Sequence, residues 1–511
     1  MSPSGPATIQ AEGDVFEAAE LGRKVTREDY DQELPALRAG LLEAQRGLSQ
    51  AGVPVIVVFS GADGSGKSES VQKLYEWLDP RGLETNAFGP LSDEERERPP
   101  YWRFWRTLPP AGRIGMFLGS WYTEPLVRRA YGTLGRADLD REMGRVAFFE
   151  RMLVDGGALV LKFWLHLSKK GQRKRLVTLE KSADTAWRVS PLEWKHYKLY
   201  SRFIKASERI LRSTDTGPAP WFVVEAEDER YRELTIGRTL LEGMRRRLAG
   251  EGRPARSEAA APVPSPELPA SAGARVTVLD RVDLERRIPE KEYRRRLLRL
   301  QAKVHRLVRA ASEKKVSVVA VFEGWDAAGK GGAIRRLTAA MDPRLYRIIS
   351  VAVPTDEEKA HHYLWRFWRH LPRAGRVTVY DRSWYGRVLV ERVEGFASEA
   401  EWRRAYLEIN EFEEQLADAG VVIAKFWLHV TSEEQLRRFE DRQATAYKQH
   451  KITQEDWRNR ARWSQYHEAV NEMVVRTGTR RAPWTLVAGN DKRLARVQVL
   501  ETFIRRLEKA L

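Results

Sequence analysis

Charged stretches of helical character alternate with short, dense apolar runs along this chain. Residues 27–50 and 290–314 are of the first kind, and each leads into a continuous apolar run, Val55–Val58 with Phe59, and Val318–Val321 with Phe322. Further apolar runs follow at 113–118 and 377–380, at 159–165 and 421–428, and at 221–224 and 484–487, with helical stretches between them. Apolar runs of this length separated by helical segments predict buried strands of a parallel α/β sheet. Ligands are then expected at the carboxyl ends of those strands.

The pattern occurs twice. Gly61-Ala62-Asp63-Gly64-Ser65-Gly66-Lys67 follows the first strand, and Gly324-Trp325-Asp326-Ala327-Ala328-Gly329-Lys330 follows its counterpart 263 positions later. The same offset relates Trp102-Arg103-Phe104-Trp105-Arg106 to Trp365-Arg366-Phe367-Trp368-Arg369, and Ser120-Trp121-Tyr122 to Ser383-Trp384-Tyr385. It also relates Lys162-Phe163-Trp164-Leu165-His166 to Lys425-Phe426-Trp427-Leu428-His429, and Pro220-Trp221 to Pro483-Trp484. One offset held over so many motifs means two copies of one fold. Residues 250–275 are rich in Pro, Ala and Ser without hydrophobic period, as expected of a linker. The expected organisation is a first domain over 1–249, a linker over 250–275 and a second domain over 276–511.

Composition narrows the chemistry. With no cysteine in 511 residues, disulfides, zinc-thiolate sites, iron–sulfur clusters and thiol nucleophiles are excluded. No apolar run approaches the ~20 residues of a bilayer span, and residues 1–20 carry neither a basic n-region nor an apolar h-region. A cytoplasmic protein with no membrane partner is expected. The net charge of +17 favours a polyanionic ligand without choosing among nucleic acid, nucleotide and phosphate polymer.

The glycine loops carry that choice further. Gly61 to Ser68 is a complete Walker A pattern set between a strand and a helix, the context in which backbone amides and a lysine cradle phosphate. The second loop has Gly331 where the usual pattern places Ser or Thr. A second motif separates the copies. Val377-Thr378-Val379-Tyr380-Asp381-Arg382 is a strand ending in an acid, as a Walker B carboxylate would, whereas Leu118 and Gly119 stand at the positions of Asp381 and Arg382 in the first copy. Likewise Arg128 stands at the position of Glu391, and Leu179 at that of Arg442. Leucine cannot bind magnesium and glycine cannot neutralise a phosphoryl group. The second copy therefore reads as catalytic. The first reads as degenerate, its site reduced to Asp63, Gly66, Lys67 and Ser68.

The motifs GWDAAGKGGAI (324–334), YDRSWYGR (380–387), VERVEGF (390–396) and KFWLH (425–429) resemble the polyphosphate kinase 2 family. The tandem arrangement resembles its fused, two-domain class, the polyphosphate:AMP phosphotransferases. The resemblance covers both repeats, and the unusual Gly331 fits the family's GKGG pattern. It implies a tandem duplication of a P-loop kinase domain, thymidylate-kinase-like, with a parallel sheet flanked by helices and a helical lid. It implies transfer of the terminal phosphoryl of inorganic polyphosphate to AMP, giving ADP, with Mg²⁺ or alternatively Mn²⁺. Asp326 and Asp381 would handle the metal and align the nucleophile. Lys330 and the loop residues Gly324, Ala327, Ala328, Gly329, Gly331 and Gly332 would bind the transferring phosphoryl. Arg382, Arg387 and Arg442 would neutralise phosphates, Glu391 would orient an arginine or a metal-bound water, and Lys425 and Lys448 are further candidate phosphate ligands.

Elementary chemistry agrees with this reading. Phosphoryl transfer asks a protein mainly for positioning and charge neutralisation. A phosphomonoester with a second pKa near ~6 is already a dianionic nucleophile at neutral pH, so no strong base is needed. The basic stretch 436–463 is the candidate lid. The first copy, with its phosphate loop and the basic segment 169–175, is expected to act as a built-in partner domain that holds polyphosphate. The Trp-Arg-Phe-Trp-Arg motifs recur in the degenerate copy, which favours packing over adenine stacking. His166 and His429 recur likewise, which favours a structural hydrogen bond, and His361 and His362 read as a surface pair. An ATP-dependent nucleoside monophosphate kinase and a nucleic-acid-binding P-loop ATPase are the alternatives. The former would keep Ser or Thr after Lys330, and no helicase, zinc or RNA-recognition motif supports the latter, so no nucleic-acid partner is expected. Single-domain relatives suggest further pairing into a homo-oligomer.

Overall fold

The computed structural model describes residues 15–250, 277–445 and 452–511. Apart from Gly250, the expected linker lies outside them, and so does Lys448. The described residues form two compact units, one built on 15–90, 103–250 and 356–362, the other on 91–102, 277–355, 363–445 and 452–511. The units are thus not continuous blocks of sequence, because two short segments, 91–102 and 356–362, each belong to the unit of the other repeat.

In the first unit five strands, β1 (Val55–Gly61), β2 (Leu83–Ala87), β3 (Ile114–Leu118), β4 (Leu159–His166) and β5 (Trp221–Glu225), form a parallel sheet in the order β2-β3-β1-β4-β5. In the second unit β6 (Val318–Gly324), β7 (Tyr346–Ser350), β8 (Val377–Asp381), β9 (Val422–His429) and β10 (Trp484–Ala488) repeat it as β7-β8-β6-β9-β10. The central strands β1 and β6 are flanked on both sides, which is why they are apolar runs with no polar face. The edge strands β2 and β7 have no such run. In β2 only Leu83 is buried, and β7 has no buried residue at all. Strands this exposed carry no apolar signal to read, and the sequence pattern missed both.

Helices cover the sheets. Arg27–Gln50 packs on Glu229–Leu248 in the first unit, and Glu290–Glu313 on Lys492–Ala510 in the second. The first core joins Leu41 and Leu48 from one helix to Val57 and Phe163 of the sheet and Leu240 of the other helix. The Trp-Arg-Phe-Trp motifs form short helices whose aromatic rings are buried; Trp105 and Trp368 are each 1 % exposed. Trp368 and Trp384 both meet Phe412 edge-on, at 5.1 and 4.8 Å. These rings are packing, not a free stacking platform.

One expectation is corrected at the sheet. Lys425, read above as a candidate phosphate ligand, is 1 % exposed. Its ammonium donates to Glu413 at 2.7 Å, to the Tyr385 hydroxyl at 2.7 Å and to the Thr477 carbonyl at 2.8 Å. Three protons meet three acceptors, so none is left for a ligand. Glu413 in turn accepts from Tyr385 at 2.6 Å and from the Trp384 indole at 3.1 Å. Lys162, Glu150, Tyr122, Trp121 and Thr214 repeat this network in the first unit. The recurrent Lys-Phe-Trp-Leu-His and Ser-Trp-Tyr motifs are therefore two sides of one buried ion pair tying the sheet to the helices behind it.

Candidate active site

In the second unit the phosphate loop leaves β6 through Gly324, whose φ is 152°. A Cβ there would lie 2.6 Å from the Leu428 carbonyl oxygen, so only glycine lets the loop cross β9 so closely. The loop ends at Gly329, φ 108°, which caps the helix Lys330–Thr338 in the left-handed conformation. Lys330 folds over the loop and donates to the carbonyls of Gly324 at 2.6 Å and Trp325 at 3.2 Å. Arg438, 2 % exposed, holds the loop from behind. Its guanidinium donates to the carbonyls of Ala327, Ala328 and Gly489 at 3.0, 2.9 and 2.6 Å, while Glu434 accepts from its Nε at 2.6 Å.

A cavity of about 630 Å³ opens over this loop. It gathers Asp326, Ala327, Ala328, Gly329, Lys330, Gly331, Gly332, Asp381, Arg382 and Arg442 from the expected set. The sheet register explains the pairing, since β6 places Phe322 opposite Asp381 and so sets both acids at the same end of neighbouring strands. Asp326 accepts from Arg382 at 3.3 Å on one oxygen and from the Asn459 amide at 2.9 Å on the other. Arg382 holds φ 64°, a conformation that non-glycine residues adopt only at a cost. Its counterpart Gly119 has φ 71°, so the first unit keeps the turn without the side chain.

The residues Arg387 and Glu391 lie outside this cavity's lining. They pair with each other at 3.1 Å, and the Arg387 guanidinium stacks over Tyr363 at 4.5 Å. Burial raises the Glu391 carboxyl above its ordinary range, against the pull of Arg387 and Arg366.

Sequence reasoning missed several neighbours. Asn459, Glu455 and Asp456 line the same cavity from within the candidate lid stretch, and Arg335 and Arg336 from just beyond the phosphate-loop motif. Glu323, 5 % exposed, accepts from Ser383 at 2.8 Å, and burial raises its carboxyl pKa. It is Ser60 in the first unit, so comparing the repeats position by position would have found it alongside Asp381 and Arg382. Trp325 stacks on Trp463 at 3.7 Å and donates to His429 Nδ1 at 3.0 Å. An accepting Nδ1 means a neutral ring, and burial depresses the His429 pKa to about 4.

The first unit keeps the loop and loses the acids' surroundings. Lys67 donates to the carbonyls of Gly61 and Ala62 at 3.0 and 2.8 Å, as its counterpart does. Asp63 pairs with His196 at 2.7 Å, where the second unit has Asn459. The register sets Leu118 opposite Phe59 in the place of the second acid. A buried arginine from another helix, Arg232, sits against the loop, 3.5 Å from the Ser65 carbonyl. Glu69, next to Ser68, is held by Arg175 at 3.2 Å and Arg188 at 2.8 Å.

The family profile described as Polyphosphate kinase 2 (PPK2) matches residues 24–250 and again 287–511. The chain belongs to the polyphosphate kinase 2 family. It is 51 % identical over 497 residues to the polyphosphate:AMP phosphotransferase of Pseudomonas aeruginosa, covering 97 % of this chain and 99 % of that one. It is 36 % identical over 483 residues to the protein of the same name from Acinetobacter johnsonii, covering 92 % of this chain and 96 % of that one. The crystal structure of a Pseudomonas aeruginosa chain described as a polyphosphate kinase 2 matches at a TM-score of 0.86 and 49 % identity, covering 97 % and 99 % of the two chains. Both repeats of this chain thus carry the fold of the family, and the family's two matches fall on the two sheets described above.

A metal in the second-unit cavity has a suitable donor set. Among the described residues no three Asp, Glu or His side chains cluster as a complete cage. Two carboxylates beside a phosphate loop suit Mg²⁺, which keeps waters and takes its remaining ligands from substrate phosphates.

Proposed function

We propose that the chain transfers the terminal phosphoryl group of inorganic polyphosphate to AMP, giving ADP, and that the second unit performs the reaction. One observation carries the assignment to that unit. Asp326, Lys330, Asp381 and Arg382 line a single cavity there, while the register of the first sheet puts Leu118 at the place of the second acid.

The reaction forms a bond between an oxygen of the AMP phosphate and the terminal phosphorus, and breaks the bridging P–O bond behind it. The shortened polyphosphate leaves as an anion. Lys330, together with the amides of Ala327 to Gly332, neutralises and orients the transferring group. Arg382, half exposed over the loop and already beside Asp326, meets charge that builds on the departing and transferring oxygens. Asn459 and Arg382 each hold one oxygen of Asp326 and so fix its direction. Asp326 and Asp381 would hold Mg²⁺, or alternatively Mn²⁺, which when bound screens the repulsion between two phosphate anions. Arg442 adds charge from the lid side of the cavity. Glu323, buried behind Ser383, is a positioning group for the turn that carries Arg382.

The first unit then serves as a partner domain and holds polyphosphate. A reducing, cytoplasmic setting goes with this reading, since nucleotides are the acceptors and the chain has no cysteine to oxidise. The test is ADP formation from AMP and Mg²⁺ with either polyphosphate or ATP as sole donor, beside Asp381→Asn. Turnover with polyphosphate, lost by at least about a hundredfold in the variant, is expected. Turnover with ATP alone would overturn the donor. Full activity in Asp381→Asn would overturn the assignment to the second unit.

A further inference from the structure

The first unit carries a basic groove that neither the phosphate loop nor the family fold requires. A cavity of about 1000 Å³ is lined by residues from the helices Thr123–Ala130 and Tyr200–Thr214 and from the first turns of Arg136–Asp155. Arg129, Arg136, Arg202, Lys205, Arg209 and Arg212 line it against only two acids, Asp140 and Glu208. Those acids are already engaged. Arg209 takes both oxygens of Asp140 at 2.6 and 2.5 Å, and Arg212 pairs with Glu208 at 3.0 Å. Among the described residues no carboxylate lies within ion-pair distance of Arg136, Arg202 or Lys205.

The other repeat shows that these cations are not there for folding. With the same helices, it places Glu399, Gln465, Glu468, Glu472 and Val475 where the first unit has Arg136, Arg202, Lys205, Arg209 and Arg212. The counterpart of Arg129 there is Arg392, which is neutralised by Glu472 at 2.6 Å. In the first unit that acid has become Arg209, and Arg129 turns to the Leu134 carbonyl instead. Six cations against two acids leave a net positive charge whose self-repulsion a bound anion would relieve.

Its shape selects the kind of anion. Arg202, Lys205, Arg209 and Arg212 are spaced by three, four and three residues, which puts them in one stripe along about 15 Å of helix. A single phosphate cannot reach such a stripe, whereas a linear polymer with charge on every phosphorus can. Among the described residues no aromatic side chain lines the groove, so they offer no platform for stacked bases. The basic segment 169–175 also has part of its charge paired, Lys174 to Glu227 at 3.6 Å and Arg175 to Glu69 at 3.2 Å.

We propose that this groove anchors an internal stretch of the polyphosphate donor, away from the terminus that reacts. The inference rests on the donor assigned above. A donor held at a second site raises its effective concentration at the first, an advantage open only to chains long enough to occupy both.

The experiment uses the full chain carrying Arg136→Gln, Arg202→Gln and Lys205→Gln together. KM for long-chain polyphosphate is expected to rise about tenfold or more, with kcat and the KM for chains of a few phosphates unchanged. With three phosphate contacts removed, the slope of log KM against log salt should flatten by about 2, by analogy with single-stranded nucleic acid. The melting temperature should hold or rise, because repulsion has been relieved. An unchanged KM for long chains beside an active wild type would overturn the groove alone. A wild type that makes no ADP from any polyphosphate would overturn the donor, and the groove with it. An oligonucleotide of matched charge that binds the wild type as tightly as polyphosphate, and loses that affinity in the variant, would reassign the groove to nucleic acid.

Discussion

Arg382 sits in the left-handed region at φ 64°, where its degenerate counterpart is Gly119 at φ 71°. If the side chain is retained for its charge, removing it should expose the backbone strain it imposes. Replacing Arg382 by Gly or by Ala removes the same contact with Asp326, a pair at 3.3 Å whose arginine is 46 % exposed. Being so exposed, that pair is worth well under about 1 kcal/mol, and it cancels when the two variants are compared. Alanine keeps the strain of a Cβ in this conformation, roughly 1–2 kcal/mol. Glycine relieves it but gives back about 0.4–1 kcal/mol through a freer unfolded chain. Arg382→Gly should therefore be more stable than Arg382→Ala by about 1 kcal/mol, or roughly 2–4 °C for a unit of this size. Calorimetric melting of the two variants reads that difference. In the same preparations, ADP formation from polyphosphate should fall by about 10²–10³ in both, as when one donor to developing charge is lost. An alanine variant as stable as the glycine variant would refute the strain. A glycine variant with a tenth or more of wild-type turnover would refute the role of the charge.

Lys425→Met strands the Glu413 carboxylate in the core and should destabilise the second unit by about 3–5 kcal/mol, seen as a lower melting temperature. The molecules still folded should bind polyphosphate with unchanged KM, whereas a phosphate ligand would raise it. His429 is depressed to about 4 from an ordinary 6.5, so the unfolded chain takes up the proton first as pH falls. Its contribution is complete above about pH 6.5 and lost on descending toward pH 4, amounting to roughly 2 kcal/mol already at pH 5. Wild type should thus lose about 2 kcal/mol more stability than His429→Asn between pH 7 and pH 5, read from melting curves across that range. Equal losses would mean that the buried ring titrates normally.

Reading the chain alone determined the duplication, the α/β class, the two phosphate loops and the contrast between Asp381 and Leu118. These are local or periodic features. A glycine pattern between a strand and a helix can fold in few ways, and a fixed offset needs no coordinates. Only the tertiary structure decided what lies across from what. Lys425 and Asp381 both stand on strands of one sheet, yet one faces Glu413 on a helix 12 positions earlier and the other faces the phosphate cavity. Alternation along a strand fixes two faces without saying which is covered. Arg438 and Asn459 reach the phosphate loop from more than a hundred residues away, and although both fall in the basic stretch read as a lid, nothing in it singles them out from their neighbours. The stripe of cations on Tyr200–Thr214 is legible as a helical face, but which of them meet an acid, as Arg209 meets Asp140, is a property of the helices packed beside it. How much of a charge is left for a ligand is settled by what folding packs beside it.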